Sequence, residues 1–342
     1  MIRGVPLVEV TRGPLVESIH SVAACAVDAH GTVVLALGDI DVPVFLRSTA
    51  KPFIAAAIVA AGTAERFALT AQELAVIAAS HDGEPIHVAA VRRILAKIEL
   101  PETALQCGAH APASEAAAAA LARAGEAPSA LYNNCSGKHA GILAMCVHLG
   151  LGTERYLEPG HPAERRILEF CARMTGDDAE EFLLGVDGCG IPVFATSLRK
   201  AARAFARLAT LREIDKTDAR ALQMVRAAMI AEPLYVGGTT RFDSALLVAT
   251  QGRVVGKGGA EGVHGDALVR EGLGLALKVV DGARRATPPA AAALLEALGA
   301  LDAGELAALE PFVRFEVRNV AGRAVGRIEA RLPDTILAPS SS

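Results

Sequence analysis

A serine and a lysine three residues apart, Ser48 and Lys51, open an apolar stretch near the start of the chain. The segment reads Arg-Ser-Thr-Ala-Lys-Pro-Phe at 47–53 and stays apolar to residue 61. In a helix that begins near Ser48, three residues make most of a turn, so the hydroxyl and the amine lie on one face. A lysine that burial or a neighbouring cation keeps neutral can take the serine proton. The pair predicts a serine nucleophile with a lysine base.

A second serine and a second lysine lie next to glycines further along the chain. Ser80 begins the segment Ser-His-Asp-Gly-Glu-Pro, whose residue types also fit an ordinary cap and loop before a helix. Lys257 is followed by two glycines at the end of an expected hairpin strand, and these glycines leave room beside its side chain. A solvated hairpin lysine is the alternative for Lys257.

Two cysteines, Cys135 and Cys189, lie in glycine-flanked segments where backbone and side chain can approach a ligand. Two thiolates with one neutral side chain, Lys138 or His139, can hold Zn²⁺ and leave a coordination position for water. Cysteines this far apart form no recognised zinc pattern. Two buried free thiols are therefore the alternative.

Composition and charge limit the classes of partner. The 342-residue chain is 52% hydrophobic, 21% charged and 4% aromatic without Trp, which is typical of an ordered globular protein with a core of Ala, Leu and Val. The formal net charge is -4 and no Lys/Arg cluster occurs, which argues against nucleic acid as a partner. A small polar molecule is the expected ligand.

The chain shows no targeting or membrane signal that we recognise. Its first residues lack the basic start and apolar core of a secretory signal, and its longest apolar run, 53–62, is about half a membrane span. We expect a cytoplasmic protein without membrane contact, whose six cysteines are thiols.

Hydrophobic periodicity places strands at both ends of the chain and helices between them. We expect an α+β fold within the broad α/β class, an antiparallel sheet flanked by helices with an inserted helical lobe. The chain is predicted to be a single catalytic unit, 1–342, with an α/β lobe from 1–47 and 232–342 and a mainly helical lobe at 48–231. The expected strands are 7–10, 15–19, 22–27, 33–37, 244–249, 253–256, 273–280, 313–320 and 325–331, and the expected helices are 48–61, 85–98, 113–124, 142–149, 162–174, 193–209, 217–231, 289–299 and 303–309.

The order of these motifs resembles known serine hydrolases. Ser-x-x-Lys, then a serine in the helical lobe, then a Lys-Gly-Gly strand is the layout of serine β-lactamases, penicillin-binding proteins and serine-type glutaminases. A more specific resemblance, over essentially the whole chain, is to the rhizobial-type L-asparaginase family. It is carried by Arg-Ser-Thr-Ala-Lys-Pro-Phe at 47–53, Ser-His-Asp-Gly-Glu-Pro at 80–85, Asn-Asn-Cys-Ser-Gly-Lys-His-Ala-Gly at 133–141, Asp-Gly-Cys-Gly-Ile-Pro at 187–192 and Gly-Lys-Gly-Gly-Ala-Glu-Gly at 256–262.

This resemblance implies a serine β-lactamase/glutaminase-like fold and a homodimer that hydrolyses L-asparagine to L-aspartate and ammonia. By position, it implies a nucleophile pair of Ser48 and Lys51, a second Ser-Lys pair of Ser80 and Lys257, and a zinc ion beside the substrate held by Cys135, Lys138 and Cys189. Arg47 and His139 are the candidate substrate-binding residues. Arg241 is an alternative partner for a substrate carboxylate, but Arg47 is preferred because it is fixed beside Ser48.

In the expected reaction, Ser48 attacks the side-chain amide carbonyl while Lys51 takes its proton. Ser80 and Lys257 pass a proton to the departing ammonia, and water then cleaves the aspartyl ester. Zinc orients the substrate, and Asp187 or His139 steadies the residues that hold it. Two other classes stay open: another acyl hydrolase of this layout, such as a glutaminase, peptidase or β-lactam hydrolase, and a non-catalytic zinc-binding scaffold. Gly-Gly-Thr-Thr at 237–240 is expected to form a turn.

Overall fold

Strands dominate both ends of the chain and helices its middle in the computed structural model, which describes residues 2–333. The strands are β1 (Val5–Arg12), β2 (Leu15–Asp28), β3 (Val33–Leu37), β4 (Pro43–Phe45), β5 (Leu183–Val186), β6 (Pro192–Ser197), β7 (Val254–Gly258), β8 (Val263–Leu268), β9 (Leu273–Val279), β10 (Phe315–Arg318) and β11 (Ala324–Ala330). The helices are α1 (Lys51–Ala60), α2 (Thr63–Arg66), α3 (Ala71–Ile77), α4 (Pro85–Lys97), α5 (Glu115–Ala124), α6 (Ser136–Leu149), α7 (Pro162–Thr175), α8 (Leu198–Thr210), α9 (Lys216–Ala231), α10 (Pro233–Val236), α11 (Phe242–Ala249), α12 (Thr287–Ala297), α13 (Ala303–Ala308) and α14 (Glu310–Val313). The predicted fold class, an α+β protein with an antiparallel sheet flanked by helices, is confirmed.

The described residues divide into two compact units, each built from separate stretches of chain. The sheet unit comprises residues 2–49, 196–213 and 249–333, and the helical unit comprises Ala50–Ala195 and Ile214–Val248. These bounds differ from the predicted lobes, since 196–213 belongs with the sheet and 232–248 with the helices. That the whole chain acts as a single catalytic unit stays a prediction.

The sheet unit is organised around the long strand β2. Its antiparallel sheet runs in the order β10-β11-β1-β2-β9-β8-β7, and β3 pairs with β2 as well. The first half of β2 pairs with β1, from Val5↔Val22 to Arg12↔Leu15, and the second half pairs with β9 and β3. The two strands predicted at 15–19 and 22–27 are therefore one continuous strand.

Helix α8 lies against β2, β8 and β9 in the sheet unit, and two glycines make this contact possible. A Cβ at Gly274 would lie 2.0 Å from the carbonyl oxygen of Ala202. A Cβ at Gly265 would lie 2.1 Å from the ring of Phe205. The backbone of α8 therefore packs directly on the sheet at Gly274, and the ring of Phe205 packs on it at Gly265.

Helix α1 is the centre of the helical unit. It packs against α6, α7 and α9, and its residues are buried from Lys51 to Val59. A helix that is apolar on every side has to be enclosed by other elements. Its first residue, Lys51, is therefore buried with it, at 1% exposure.

Two segments adopt the other type of secondary structure from that predicted. The helix predicted at 193–209 begins with strand β6 and becomes helical only at α8, where the Ser197 hydroxyl accepts the N–H of Lys200 at 3.3 Å. The strand predicted at 244–249 is helix α11. Short apolar runs fit either structure, which explains the error at 244–249.

Two segments around the candidate site are helical where loops or undefined chain were expected. Residues 74–79 belong largely to α3, which Thr70 and Glu73 cap reciprocally. Helix α6 begins at Ser136, so Lys138 and His139 are helical rather than in a loop. The glycine before them serves close packing, because a Cβ at Gly137 would lie 2.1 Å from the carbonyl oxygen of Val76.

We expect Gly274→Ala to lower the free energy of unfolding by about 2 kcal/mol or more, because the added methyl overlaps the backbone of α8. Urea unfolding of the purified variant measures this loss. Gly160→Ala is the matched control, since a Cβ there meets nothing within 4 Å. Equal midpoints for the two variants would contradict the close contact.

Candidate functional site

Ser48 lies in a 3-10 helix, Arg47–Ala50, that leads directly into α1. Arg47 has a φ of 51°, in the left-handed region that costs a residue with a side chain about 1–2 kcal/mol. Arg47 and Ser48 are half-buried, whereas Thr49 is fully buried. The strained residue is the one before the predicted nucleophile, which is where functional sites commonly hold such backbone.

The end of the β7–β8 hairpin contacts the segment that carries Ser48, within the sheet unit. A Cβ at Gly259 would lie 2.8 Å from the Thr49 hydroxyl and 2.9 Å from the Leu46 carbonyl oxygen. Lys257, two residues earlier, is 0% exposed and donates to the Gly258 carbonyl oxygen at 2.8 Å. The alternative of a solvated hairpin lysine is therefore wrong.

Lys51 forms a hydrogen-bonded cluster within the helical unit. Its Nζ donates to the carbonyl oxygen of Ala79 at 2.5 Å and to the Ser80 hydroxyl at 3.1 Å. A third, longer bond of 3.4 Å goes to the carbonyl oxygen of Asn134. The sequence paired Lys51 with Ser48, and the observed hydrogen bond to Ser80 was not predicted.

Ser80 opens a buried segment without regular secondary structure, Ser80–Glu84, and two stacked histidines brace it. His81 and His87 stack with their ring centroids 4.9 Å apart. Nδ1 of His81 accepts the Gly83 N–H at 3.2 Å, so its Nε2 carries the proton and donates to the Ser136 hydroxyl at 2.9 Å. Burial, followed by the effect of His87, holds the pKa of His81 well below its ordinary value. His81 therefore makes these contacts as a neutral imidazole.

Cys135, Lys138 and Cys189 come together in the helical unit, as predicted for a metal site. Lys138 Nζ lies 3.0 Å from Cys189 Sγ, and the two cysteines hydrogen-bond to each other. All three side chains are buried, with at most 5% exposed. The two sulfurs and the amine therefore form one buried cluster.

Hydrogen bonding between the two cysteines shifts their pKa values in opposite directions. The hydrogen bond from Cys189 is the main cause that lowers the pKa of Cys135 well below its ordinary value, against the effect of burial. The same bond raises the pKa of Cys189. Burial is the largest single influence on the pKa of Lys138 and lowers it, but Cys135, Cys189 and Asp187 together leave that pKa above its ordinary value. These shifts favour a thiolate at Cys135 and an ammonium at Lys138.

Local structure explains how these residues are held. Cys135 is the N-cap of α6, and its N–H donates to the side-chain oxygen of Asn133 at 2.8 Å. Lys138 follows one turn later on the helix. Cys189 lies in the turn between β5 and β6, where Asp187 and Ile191 close the loop and Gly190 has a φ of 92°.

The donor set fits Zn²⁺ on chemical grounds. Thiolate sulfur and an amine nitrogen are ligands that zinc accepts, and three protein ligands leave one tetrahedral position open. Within residues 2–333, no group of three or more His, Cys, Asp and Glu side chains is placed to hold a metal ion. The predicted set includes only two residues of those types, because its third member is Lys138.

His139, next to Lys138 on α6, has a buried nitrogen without a partner. The Tyr156 hydroxyl accepts the Gln106 N–H at 2.9 Å and hydrogen-bonds to His139 Nδ1 at 2.8 Å. Nε2 of His139 finds no hydrogen-bond partner among the described residues. Burial, and then the charges of Lys138 and Lys51, hold the pKa of His139 well below its ordinary value. Nothing in the sequence pointed to Tyr156.

The sequence matches the model of a known protein family over almost its whole length. The model of the L-asparaginase II family matches residues 8–330. The chain therefore belongs to that family, and the protein is an amidohydrolase, an L-asparaginase. The resemblance found in its five motifs is confirmed. The comparison with curated proteins gave no match. Among the described helices, none has the length and apolarity to cross a membrane.

We expect Glu164→Gln to remove a pH dependence of stability. Burial is the main cause that raises the pKa of Glu164 from 4.5 to about 8. Between those values the folded state holds a proton that the unfolded state has lost, so stability falls by about 1.4 kcal/mol per pH unit as pH rises. The variant should match the wild type near pH 5 and be more stable at pH 8.

Urea unfolding between pH 5 and 8 measures this difference. Glu169→Gln, an exposed residue on the same helix, is the control and should leave the pH dependence unchanged. Parallel curves for wild type and Glu164→Gln would show that Glu164 ionises normally in the folded protein.

Proposed function

We propose that the protein hydrolyses L-asparagine through an acyl-enzyme formed on Ser48, with Lys51 as the base. The observation that carries this proposal is the buried Lys51 amine. It lies about one helical turn from Ser48 in sequence and donates a hydrogen bond to a second serine, Ser80. Membership of the L-asparaginase II family supports the reaction itself. Backbone N–H groups at the start of the helix, that of Ser48 included, are the proposed oxyanion donors.

The hydrogen bonds of Lys51 bear on its role as a base. Its amine donates to Ala79, Ser80 and Asn134, and it also interacts with the side chain of Cys135. The bond to Asn134, at 3.4 Å, is the weakest of them. A neutral amine that keeps the two shorter bonds loses little and has a lone pair available for a proton.

Ser80 and Lys257 are proposed to form the second Ser-Lys pair, which protonates the departing ammonia. Their burial supports this, since Ser80 is 8% and Lys257 0% exposed. The direct bond between Lys51 and Ser80 favours a second candidate reaction, in which Ser80 is the nucleophile and Lys51 its base. Removing each serine in turn distinguishes the two.

We propose that Cys135, Lys138 and Cys189 hold Zn²⁺ and that His139 and Arg47 bind substrate. When bound, the metal supplies positive charge that polarises and orients the substrate. Lysine binds a metal only as the neutral amine, so Lys138 gives up its proton on binding. The unpartnered Nε2 of His139 supports a role in hydrogen bonding to substrate. The guanidinium of Arg47 suits a substrate carboxylate.

The remaining proposals concern setting and assembly. We propose a cytoplasmic homodimer that binds neither nucleic acid nor membrane. The six cysteines are free thiols in the structure, which suits a reducing compartment. The net charge of -4 opposes binding to nucleic acid.

We expect the purified protein to release ammonia from L-asparagine but not from L-glutamine, and Ser48→Ala to abolish that release. An assay of ammonia with both amides measures this. Ser114→Ala is the matched control: Ser114 caps α5, so its loss costs about 1 kcal/mol of stability without affecting turnover. A Ser48→Ala variant with near-normal rate, together with an inactive Ser80→Ala, would transfer the nucleophile to Ser80. Activity on glutamine alone would indicate a glutaminase.

We expect Cys135→Ala to raise KM for asparagine far more than it lowers kcat, with loss of bound zinc, because the metal orients the substrate rather than activating the nucleophile. Zinc content and steady-state kinetics measure both effects. Cys171→Ala, another buried thiol, is the control and should keep zinc and KM. Full zinc occupancy with unchanged KM in Cys135→Ala would show an ordinary buried thiol.

A further inference from the structure

The threonines of the segment Gly237–Arg241 are bound to carboxylates in the helical unit. Oε1 of Glu84 accepts both the backbone N–H of Thr239, at 3.0 Å, and its hydroxyl, at 2.6 Å. Oδ2 of Asp82 accepts the Thr240 hydroxyl at 2.6 Å. Oδ1 of Asp82 accepts Nε of Arg241 at 2.5 Å. Three consecutive residues thus donate to two carboxylates.

Backbone bonds run beside these side-chain bonds. The N–H of Ser80 donates to the carbonyl oxygen of Val236 at 3.1 Å, and that of Asp82 donates to Gly237 at 2.8 Å. Ser80, Asp82 and Glu84 are at most 9% exposed, although their segment has no regular secondary structure. The segment Ser80–Glu84 therefore depends on its neighbours for its conformation.

Both glycines of the Gly237–Arg241 turn are required by this contact. Gly238 has a φ of 124°, and a Cβ there would lie 3.1 Å from Oε1 of Glu84. A Cβ at Gly237 would lie 2.6 Å from Cβ of Arg241. The turn thus packs closely both on itself and on the segment Ser80–Glu84.

Buried carboxylates are costly, and the paired donors here offset only part of that cost. An apolar contact would hold two segments together at least as well. Directed hydrogen bonds also fix the geometry of the segment that makes them. The residue whose position they fix is Ser80. Its hydroxyl accepts the Lys51 amine at 3.1 Å.

We propose that the Gly237–Arg241 turn is a clamp that positions the Ser80 hydroxyl through Asp82 and Glu84, which are positioning residues of the hydrolase. The inference rests on the proposed function, in which Ser80 takes part in proton transfer. It also assigns a role to Thr239 and Thr240. Each hydroxyl donates its proton to a carboxylate, so neither hydroxyl is positioned to act as a nucleophile.

The mildest test removes the two hydroxyls and keeps the side-chain shape. Thr239 and Thr240 are exposed, so a Thr239→Val, Thr240→Val double variant should fold. We expect its kcat for asparagine to fall by about tenfold or more, with KM changed by less than about twofold. Hydrogen exchange of the 80–84 amides, followed by mass spectrometry, should become faster. The Thr239→Ser, Thr240→Ser variant keeps both hydroxyls and should restore kcat and slow exchange.

Asp218→Asn is the control for a general loss of stability. Asp218 is a buried carboxylate of the same unit that accepts two bonds from Arg173, at 2.8 and 3.0 Å. Its loss should lower the melting temperature without changing kcat or the exchange of 80–84. An equal fall of kcat in Asp218→Asn would overturn the proposal.

The exchange measurement separates this proposal from the proposed function. If the wild type releases no ammonia from asparagine, the function fails, and faster exchange at 80–84 in the valine variant alone still supports the clamp. Unchanged exchange in that variant overturns the clamp, whatever the activity. Faster exchange with an unchanged kcat in an active enzyme overturns the positioning role.

Discussion

The burial of the Lys51 amine is the constraint on which the helical unit depends. A polar group that leaves water must find hydrogen-bond acceptors, or folding loses several kcal/mol. Helix α1 is apolar on all sides and carries Lys51 into the interior, so acceptors have to be brought to it. Ala79, Ser80 and Asn134 supply them, from the chain beyond α3 and the chain before α6. One buried amine thereby fixes where three separate segments meet.

The buried amines also affect the neighbouring thiols. Lys51 and Lys138 are both nearly fully buried, and both favour the thiolate of Cys135. The pKa of Cys135 is lowered further by these two amines. The same sulfur is one of the proposed metal ligands.

The fold class and the family were predictable from the sequence, whereas the contacts within the candidate site were predictable only in part. Five motifs identified the family, and Cys135, Lys138 and Cys189 lie close together, but that they bind metal stays a prediction. The hydrogen bond between Lys51 and Ser80 was missed because it depends on a tertiary contact that no spacing encodes. The helix at 242–249 was missed because a short apolar run has no period of its own. Tyr156 was missed because a lone tyrosine carries no signal in the sequence.

Glycines at points of close approach limit how this sequence can change. Beta strands meet α8 at Gly265 and Gly274, and α3 meets α6 at Gly137, in each case with no space for one further carbon. At Gly137 and Gly274 the atom in the way belongs to a backbone, and at Gly265 it belongs to the Phe205 ring. A larger residue at any of these three positions therefore forces the neighbouring element to move.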